Sequence, residues 1–103
     1  MIVRFNIDPA GLNEAMAQGR FDYQVSFEGE ALYADSGLES IEDCITAATE
    51  GLGSDAVAAE VAYKNIISGT YALGSLALAT AQIALHALQT TQAVEEVMTG
   101  RNS

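Results

Sequence analysis

The feature that most constrains this chain is an uncharged run of thirty residues, Asn65 to Val94, without Asp, Glu, Lys or Arg. It stands in a chain of 103 residues with a formal net charge of -10. A helix that spans a membrane needs about 20 mostly apolar residues. The most apolar part of the run, residues 71–88, is interrupted by glycine and polar residues, namely Gly74, Ser75, Thr80, Gln82 and His86. Because the chain also lacks Trp and has no basic cluster beside the run, we predict that it does not span a membrane.

The same run predicts a long, buried helix. Its Ala and Leu content favours a helix from Tyr71 to Met98, and its apolar side chains cover most of a helical wheel. A straight helix of that length measures about 42 Å, whereas a domain of this size has a radius of gyration of about 13 Å. We therefore expect a second copy of the chain to cover the helix. The predicted homodimer interface consists of Leu73, Leu76, Ala77, Leu78, Ala81, Ile83, Leu85 and Leu88. The alternative is a bent or broken helix that is buried inside a monomer.

The first third of the chain predicts strands. Val3, Phe5 and Ile7 alternate with polar residues, which is the period of a half-buried strand. A second alternation, "FDYQVSF" at residues 21–27, is followed by a turn at "EGEA", and residues 31–34 return as a third strand. Between the first two strands, "DPAGLNEAMAQG" at residues 8–19 combines an Asp cap, an early Pro and a final Gly, so it predicts a short helix.

Three helices are expected in the rest of the chain. The first has a capping box of Ser36 and Glu39 and ends at Gly51. The second runs from Asp55 to about Ser68, and the third is the long, mostly apolar helix from Tyr71 to Met98. The predicted fold class is α+β: a small antiparallel sheet (strand, short helix, β-hairpin) followed by three helices, the last long and mostly apolar. We expect one domain over residues 1–103, mainly β in 1–35, helical in 36–98 and frayed in 99–103.

Acidic residues are concentrated in the middle of the chain. Residues 21–63 contain ten Asp and Glu and no Lys or Arg. Direct binding to nucleic acid is disfavoured, because it needs clustered Lys and Arg, whereas a basic protein surface is a suitable partner. The predicted partner-binding face is one side of the helix that follows the hairpin, with Glu39, Glu42, Asp43 and Glu50. The alternative is that these acids only keep the protein soluble.

The sequence contains no recognisable catalytic set, and it predicts neither a cofactor nor a metal site. His86 is the only histidine, and its neighbours along the helix are Gln82 and Gln89 rather than a carboxylate or further metal ligands. Cys44 is the only cysteine and lies on the apolar face of its predicted helix, so we expect a buried structural thiol. The N-terminal "MIVRFNIDP" lacks the apolar segment of a signal peptide, and we therefore predict a cytoplasmic protein.

The strand "FDYQVSFEG", its return strand and the helix "SGLESIEDCITAATEGL" loosely resemble the strand–strand–helix core of HicB-type antitoxins. The similarity is mostly one of hydrophobic pattern, with small and acidic residues. The proline-rich strand connection and the DNA-binding tail of that family are missing from this sequence. The resemblance is therefore not counted as membership of the family.

Three hypotheses of function follow from these patterns. The first is a non-enzymatic, homodimeric binding protein that presents its acidic face to a basic protein, as inhibitors, immunity proteins, antitoxins and nucleic-acid mimics from bacteria or phage do. The second is a structural or assembly subunit whose apolar helix is the functional interface. The third is a small enzyme or ligand-binding protein with a pocket near Gln82, His86 and Gln89. Concentration of the acids in one region favours the first, and the apolar helix favours the second.

Overall fold

A computed structural model describes residues 1–10 and 20–100, and it describes side chains as far as Met98. Within these residues the chain forms a mixed sheet of five strands whose spatial order is β3-β2-β1-β4-β5. The strands are β1 (Ile2–Pro9), β2 (Phe21–Phe27), β3 (Glu30–Leu38), β4 (Ala58–Tyr63) and β5 (Ile66–Ala72). The helices are α1 (Ile41–Glu50), α2 (Leu73–Leu78) and α3 (Thr80–Gly100). Our prediction of a small antiparallel sheet followed by three helices is therefore wrong.

Strand β1 lies at the centre of the sheet. It pairs antiparallel with β2, where Phe5 faces Val25, and parallel with β4, where Phe5 faces Val61. The alternation seen in the sequence places Val3, Phe5 and Ile7 on one face, and all three are at most 1% exposed. The parallel pairing to β4 is what makes the sheet mixed, and it joins residues that are 56 positions apart in the sequence, such as Ile2 and Ala58.

The segment Asp55–Ser68, predicted as a helix, instead forms β4, a tight turn and the start of β5. Lys64 and Asn65 occupy the turn with φ angles of 53° and 65°, and two successive positive φ angles match a type I′ hairpin turn. The prediction failed because "AAEVAY" is rich in good helix formers. The alternation of the buried Val61 and Tyr63 becomes recognisable as that of a strand only once β4 is paired with β1.

The strands predicted near the N-terminus are confirmed, whereas the predicted start of the short helix is wrong. The first strand and the hairpin exist, and the hairpin turn lies at Glu28 and Gly29, both with positive φ. Asp8 and Pro9, predicted to start the short helix, belong to β1 and pair with Asp22 and Phe21 of β2. The rest of that predicted helix, residues 11–19, lies outside the described residues.

Helix α1 starts later than the capping box at Ser36 predicted. Ser40 is the N-cap, and its side-chain oxygen accepts a hydrogen bond of 2.9 Å from the backbone N–H of Asp43. Ser36 belongs to β3, where the following Gly37 has a φ of 77°. Gly51 ends the helix with a φ of -82°, so it does not take the left-handed conformation predicted for it. A side chain at position 51 would instead collide with the ring of Tyr33.

The predicted rod from Tyr71 to Met98 is broken into three elements. Tyr71 and Ala72 end β5, α2 covers six residues, and Ala79 leaves the helical conformation before α3 begins. Across this break the hydroxyl of Thr80 donates to the backbone carbonyl of Leu76. Helix α3 has 21 residues and therefore measures about 31 Å. No helix in residues 1–10 and 20–100 combines the length and the apolarity needed to cross a bilayer.

The helices form one layer on one face of the sheet. Helix α1 packs on β1, β2 and β3, α3 packs on β4 and β5, and the two helices lie side by side. The apolar face of α1, on which Cys44 was predicted to lie, points to the sheet, since Ile41, Cys44, Ile45 and Ala48 are all buried. From α2 and α3 the core receives Leu76, Ile83, Ala84 and Ala87. This arrangement leaves both sides of α3 partly open, which matters for the candidate site.

The position of the N-cap gives a test of helix α1. Ser40→Ala removes the side-chain acceptor of the Asp43 N–H, and we expect it to lower the free energy of unfolding by about 1 kcal/mol in urea denaturation. Ser36→Ala is the matched control and should change stability by less than about 0.5 kcal/mol, as surface substitutions usually do. A larger loss for Ser36→Ala than for Ser40→Ala would contradict the helix start described here.

Candidate functional site

A groove runs between the start of α1 and one side of α3. Its volume is about 290 Å³. Eight residues line it: Phe21, Glu39, Ser40, Ile41, Glu42, Ala84, Leu85 and Leu88. We call it the acid-rimmed groove, because its apolar floor is bordered by two carboxylates.

The floor of the acid-rimmed groove is apolar and built on rigid elements. Ile41 of α1 and Ala84 of α3 are buried, at 7% and 8% exposure, and they fix the base of the groove. Phe21 and Leu88 are half-buried and pack against the core. Leu85 is 53% exposed and is the large apolar side chain that a bound molecule would cover. The groove therefore offers an exposed hydrophobic surface.

The rim carries the charges. Glu39 and Glu42 are exposed at the edge of the groove. Arg20, which precedes β2, reaches the Glu39 carboxylate at 3.2 Å, although both side chains are largely exposed. An exposed ion pair of this kind contributes little to stability, because solvent screens it. The Arg20–Glu39 pair can therefore be exchanged for a cation from a partner at small cost.

The four acids of the predicted partner-binding face do not lie together. Glu42 and Asp43 occupy the first turn of α1, where the helix dipole favours negative charge. Glu39 lies just before that turn, so it remains close to them. Glu50 is at the other end of the helix, about 12 Å further along its axis. The structure thus groups Glu39, Glu42 and Asp43 and separates Glu50 from them.

The predicted homodimer interface also divides into two sets. Leu76 and Ile83 are 1% and 5% exposed and belong to the core of their own chain, and Leu73 and Leu88 are half-buried against that core. The other four residues of the prediction are exposed: Ala77, Leu78, Ala81 and Leu85. Leu78 is the most exposed of the large apolar residues in the described part of the chain, at 91%.

A second groove, of about 400 Å³, lies on the opposite side of α3, next to β5. It is lined by Tyr71, Ser75, Ala79, Gln82, Ile83 and His86, and we call it the uncharged groove. It brings together Gln82 and His86 of the predicted pocket, whereas Gln89 is exposed and does not line it. The contact of His86 is with Thr90, whose Oγ1 lies 3.5 Å from Nε2, rather than with the two glutamines.

The other face of the sheet is mostly polar, although Ile2, which is 54% exposed, lies there beside Arg4 and Glu60. Asn6 donates to the Ser26 hydroxyl at 3.1 Å, and Arg4 lies 3.8 Å from the Glu60 carboxylate. Asp8 pairs with Asp22 across β1 and β2, and burial, followed by the charge of Asp22, raises the pKa of the Asp8 carboxyl. Several of these groups bind one another, and they offer a partner little apolar surface, so the candidate site lies on the helical side.

Cys44 is buried and unpaired, as predicted. Burial raises the pKa of its thiol from 9.0 to about 12, with smaller contributions from Asp22, Asp43 and Asp35. The folded state therefore favours the neutral thiol. The buried neutral thiol of Cys44 makes its full contribution to the stability of the folded state below pH 9.0, and this contribution is lost as the pH rises towards 12. A thiol in this state is a poor nucleophile at neutral pH.

Sequence analysis identified the rim of the acid-rimmed groove and missed its floor. Phe21 and Ile41 were assigned to a strand and a helix face, and nothing in the local pattern places them beside Ala84 and Leu85. The useful signal was Leu85, which belongs to the run that is apolar nearly all round. A helix of this kind has more apolar surface than one sheet can cover.

The reactivity of Cys44 tests the packing around it. We expect iodoacetamide to label the native protein at neutral pH at least about a hundredfold more slowly than the protein in urea, because burial suppresses both access and thiolate formation. The double variant Cys44→Ala/Thr46→Cys is the control, since position 46 is exposed on the same helix and should react rapidly. Equal labelling rates for native wild type and this control would show that Cys44 is accessible.

Comparison with known proteins supplies no relative. No protein-family model, no curated protein and no solved structure matches the chain. The loose likeness of its hairpin and first helix to HicB-type antitoxins rests on the sequence pattern alone.

Proposed function

We propose that this chain is a non-enzymatic binding protein that holds a basic, amphipathic segment of a protein partner in the acid-rimmed groove. The observation that carries the proposal is the combination of an apolar floor with Glu39 and Glu42 at the rim. A segment that places apolar side chains on Leu85 and cations beside the two carboxylates complements both features. An uncharged apolar segment would leave the rim without a partner, and an acidic one would be repelled.

The free energy of such a complex has two sources. Covering the apolar floor contributes about 25 cal/mol for each Å² of apolar surface removed from water. The carboxylates contribute mainly to the rate of association, since a surface of one charge sign accelerates encounter with an oppositely charged partner by about tenfold or more. The formal net charge of -10 extends this attraction beyond the groove.

The partner class is a basic protein surface, as for an inhibitor, immunity protein, antitoxin or nucleic-acid mimic. Residues 21–63 supply ten acids and no basic residue, so the region around α1 repels a nucleic-acid backbone. The cytoplasm is the proposed location, because a single unpaired cysteine suits a reducing compartment.

Two observations support the non-enzymatic part of the proposal. The Cys44 thiol is buried and its pKa is raised to about 12, which makes it a weak nucleophile. His86 is exposed and contacts the hydroxyl of Thr90, so the described contacts give this imidazole no carboxylate to orient it as a general base.

Self-association is the second proposed function, because the exposed Leu78 and Leu85 are costly to leave in water. The chain would then be a homodimer through α2 and α3, with Ala77, Leu78, Ala81 and Leu85 at the interface, or a subunit of a larger assembly. Leu85 belongs to both proposals, whereas Leu78 lies outside the acid-rimmed groove. A small ligand in the uncharged groove, near Gln82 and His86, is the third candidate.

A designed peptide tests the first proposal. The probe is a helical peptide with Leu at positions i, i+3, i+4 and i+7 and Lys elsewhere, and its association is followed by stopped-flow fluorescence. We expect Glu39→Gln/Glu42→Gln to reduce the association rate by about tenfold, because the change removes both rim charges and frees Arg20 to repel the peptide. The rate for wild type should fall as ionic strength rises from about 0.01 M to about 1 M.

The matched control is Glu28→Gln/Glu30→Gln. It also removes two negative charges, but at the β2–β3 hairpin turn, where both residues are exposed. At an ionic strength of about 0.15 M, where the Debye length is about 8 Å, we expect it to change the association rate by less than about twofold, because more distant charges are screened. Equal effects of the two double variants, or binding of a Glu-substituted version of the peptide with the same rate, would show that the groove is not the binding site.

A further inference from the structure

The two edges of the sheet differ in how well they are protected. Edge strand β3 carries the exposed acids Glu30 and Asp35, and its pairing with β2 is interrupted by two register shifts. Charged side chains and irregular pairing are devices that keep an edge strand from adding another strand. Edge strand β5, with the sequence "IISGTYA", has no charged residue and no proline, and its pairing with β4 has a single register shift, between Val61 and Ala62. The β5 edge is therefore the less protected of the two.

The surroundings of β5 are uncharged as well. The uncharged groove lies directly beside this edge, because Tyr71 of β5 forms one of its walls and Gln82 and His86 of α3 form another. Strand β5, helix α2 and α3 as far as Val94 all belong to the run without Asp, Glu, Lys or Arg. Ile67 on the edge strand is 47% exposed.

Charge identifies the occupant. Two copies of a chain with a net charge of -10 repel each other, and the repulsion is strongest where acidic surfaces approach. Contact through β5 and the uncharged groove brings together the one long part of the chain without charges. An acidic or basic partner would find no complementary charge on this edge, whereas a second copy requires none.

We infer that β5 pairs antiparallel with β5 of a second copy, so that the two sheets join into one of ten strands. This inference rests on the homodimer included in the proposed function and replaces the helix surface by the strand edge as its main contact. An antiparallel pair of identical strands satisfies two-fold symmetry. If residue i of one strand lies opposite residue j of the other, then residue j of the first lies opposite residue i of the second. A two-fold axis perpendicular to the joined sheet sets the two helical layers on the same face of that sheet. The two uncharged grooves then face each other across the joint.

A charged edge tests the inference. Ile67→Lys/Thr70→Lys places two cations on exposed positions of β5, and we expect it to convert a dimer into a monomer of 10.8 kDa in light scattering. Adding two positive charges to an acidic chain lowers the repulsion between copies, so dissociation cannot result from net charge. Leu32→Lys/Ala34→Lys makes the same change at exposed positions of β3 and should leave the dimer intact. Circular dichroism of each variant confirms that it is folded.

Hydrogen exchange distinguishes the strand edge from the helices. If β5 pairs with its copy, backbone amides of residues 66–72 on the open edge gain protection as the protein concentration rises. A wild-type monomer at every concentration overturns both this inference and the homodimer, while leaving the acid-rimmed groove untouched. The strand pairing is overturned, and the helical interface is retained, if three results occur together. The dimer forms without concentration-dependent protection in β5, it persists in Ile67→Lys/Thr70→Lys, and it dissociates in Leu78→Lys.

Discussion

The parallel pairing of β1 with β4 is the interaction on which the rest of the structure depends. It makes β1 the central strand, so that Val3, Phe5 and Ile7 are covered on both sides and form the middle of the core. Because β4 lies beside β1, helix α1 has to cross the sheet between β3 and β4, and the β4–β5 hairpin extends the sheet beyond it. Helix α3 then packs on β4 and β5, next to α1. Both grooves exist because of this placement.

Helix α3 has two sides with different chemistry. Towards α1, Leu85 and Leu88 form an apolar floor that Glu39 and Glu42 border. Towards β5, Gln82 and His86 border a groove with no charged side chain. A charge at the buried positions Ile83, Ala84 and Ala87 of α3 would be costly, which explains part of the uncharged run in the sequence. One helix thereby separates a surface suited to a basic partner from a surface suited to a second copy.

The sequence allowed prediction where local pattern decides structure. Alternation in β1 and β2 and the apolar face of α1 were readable, because each element buries one face at its own period. The β4–β5 hairpin was not, since Ala58, Ala59 and Glu60 favour helix locally and the turn uses Lys64 and Asn65 instead of Asn-Gly. Pairing with β1 overrides that preference, and no local pattern reveals it. The same limit applies to the groove, whose rim was predicted from charge and whose floor needs residues from β2, α1 and α3 in one place.

Methyl NMR tests the central claim, that the acid-rimmed groove is the binding surface, most directly. The isoleucine and leucine methyl resonances are followed while the Leu/Lys helical peptide is added at low salt. We predict that the largest shifts occur at Ile41, Leu85 and Leu88, which line the groove, and that Ile67 on the β5 edge and Leu32 on the β3 edge do not respond. Largest shifts at Ile67 or Leu32, or the absence of any shift at Ile41 and Leu88 while the peptide binds, would contradict it.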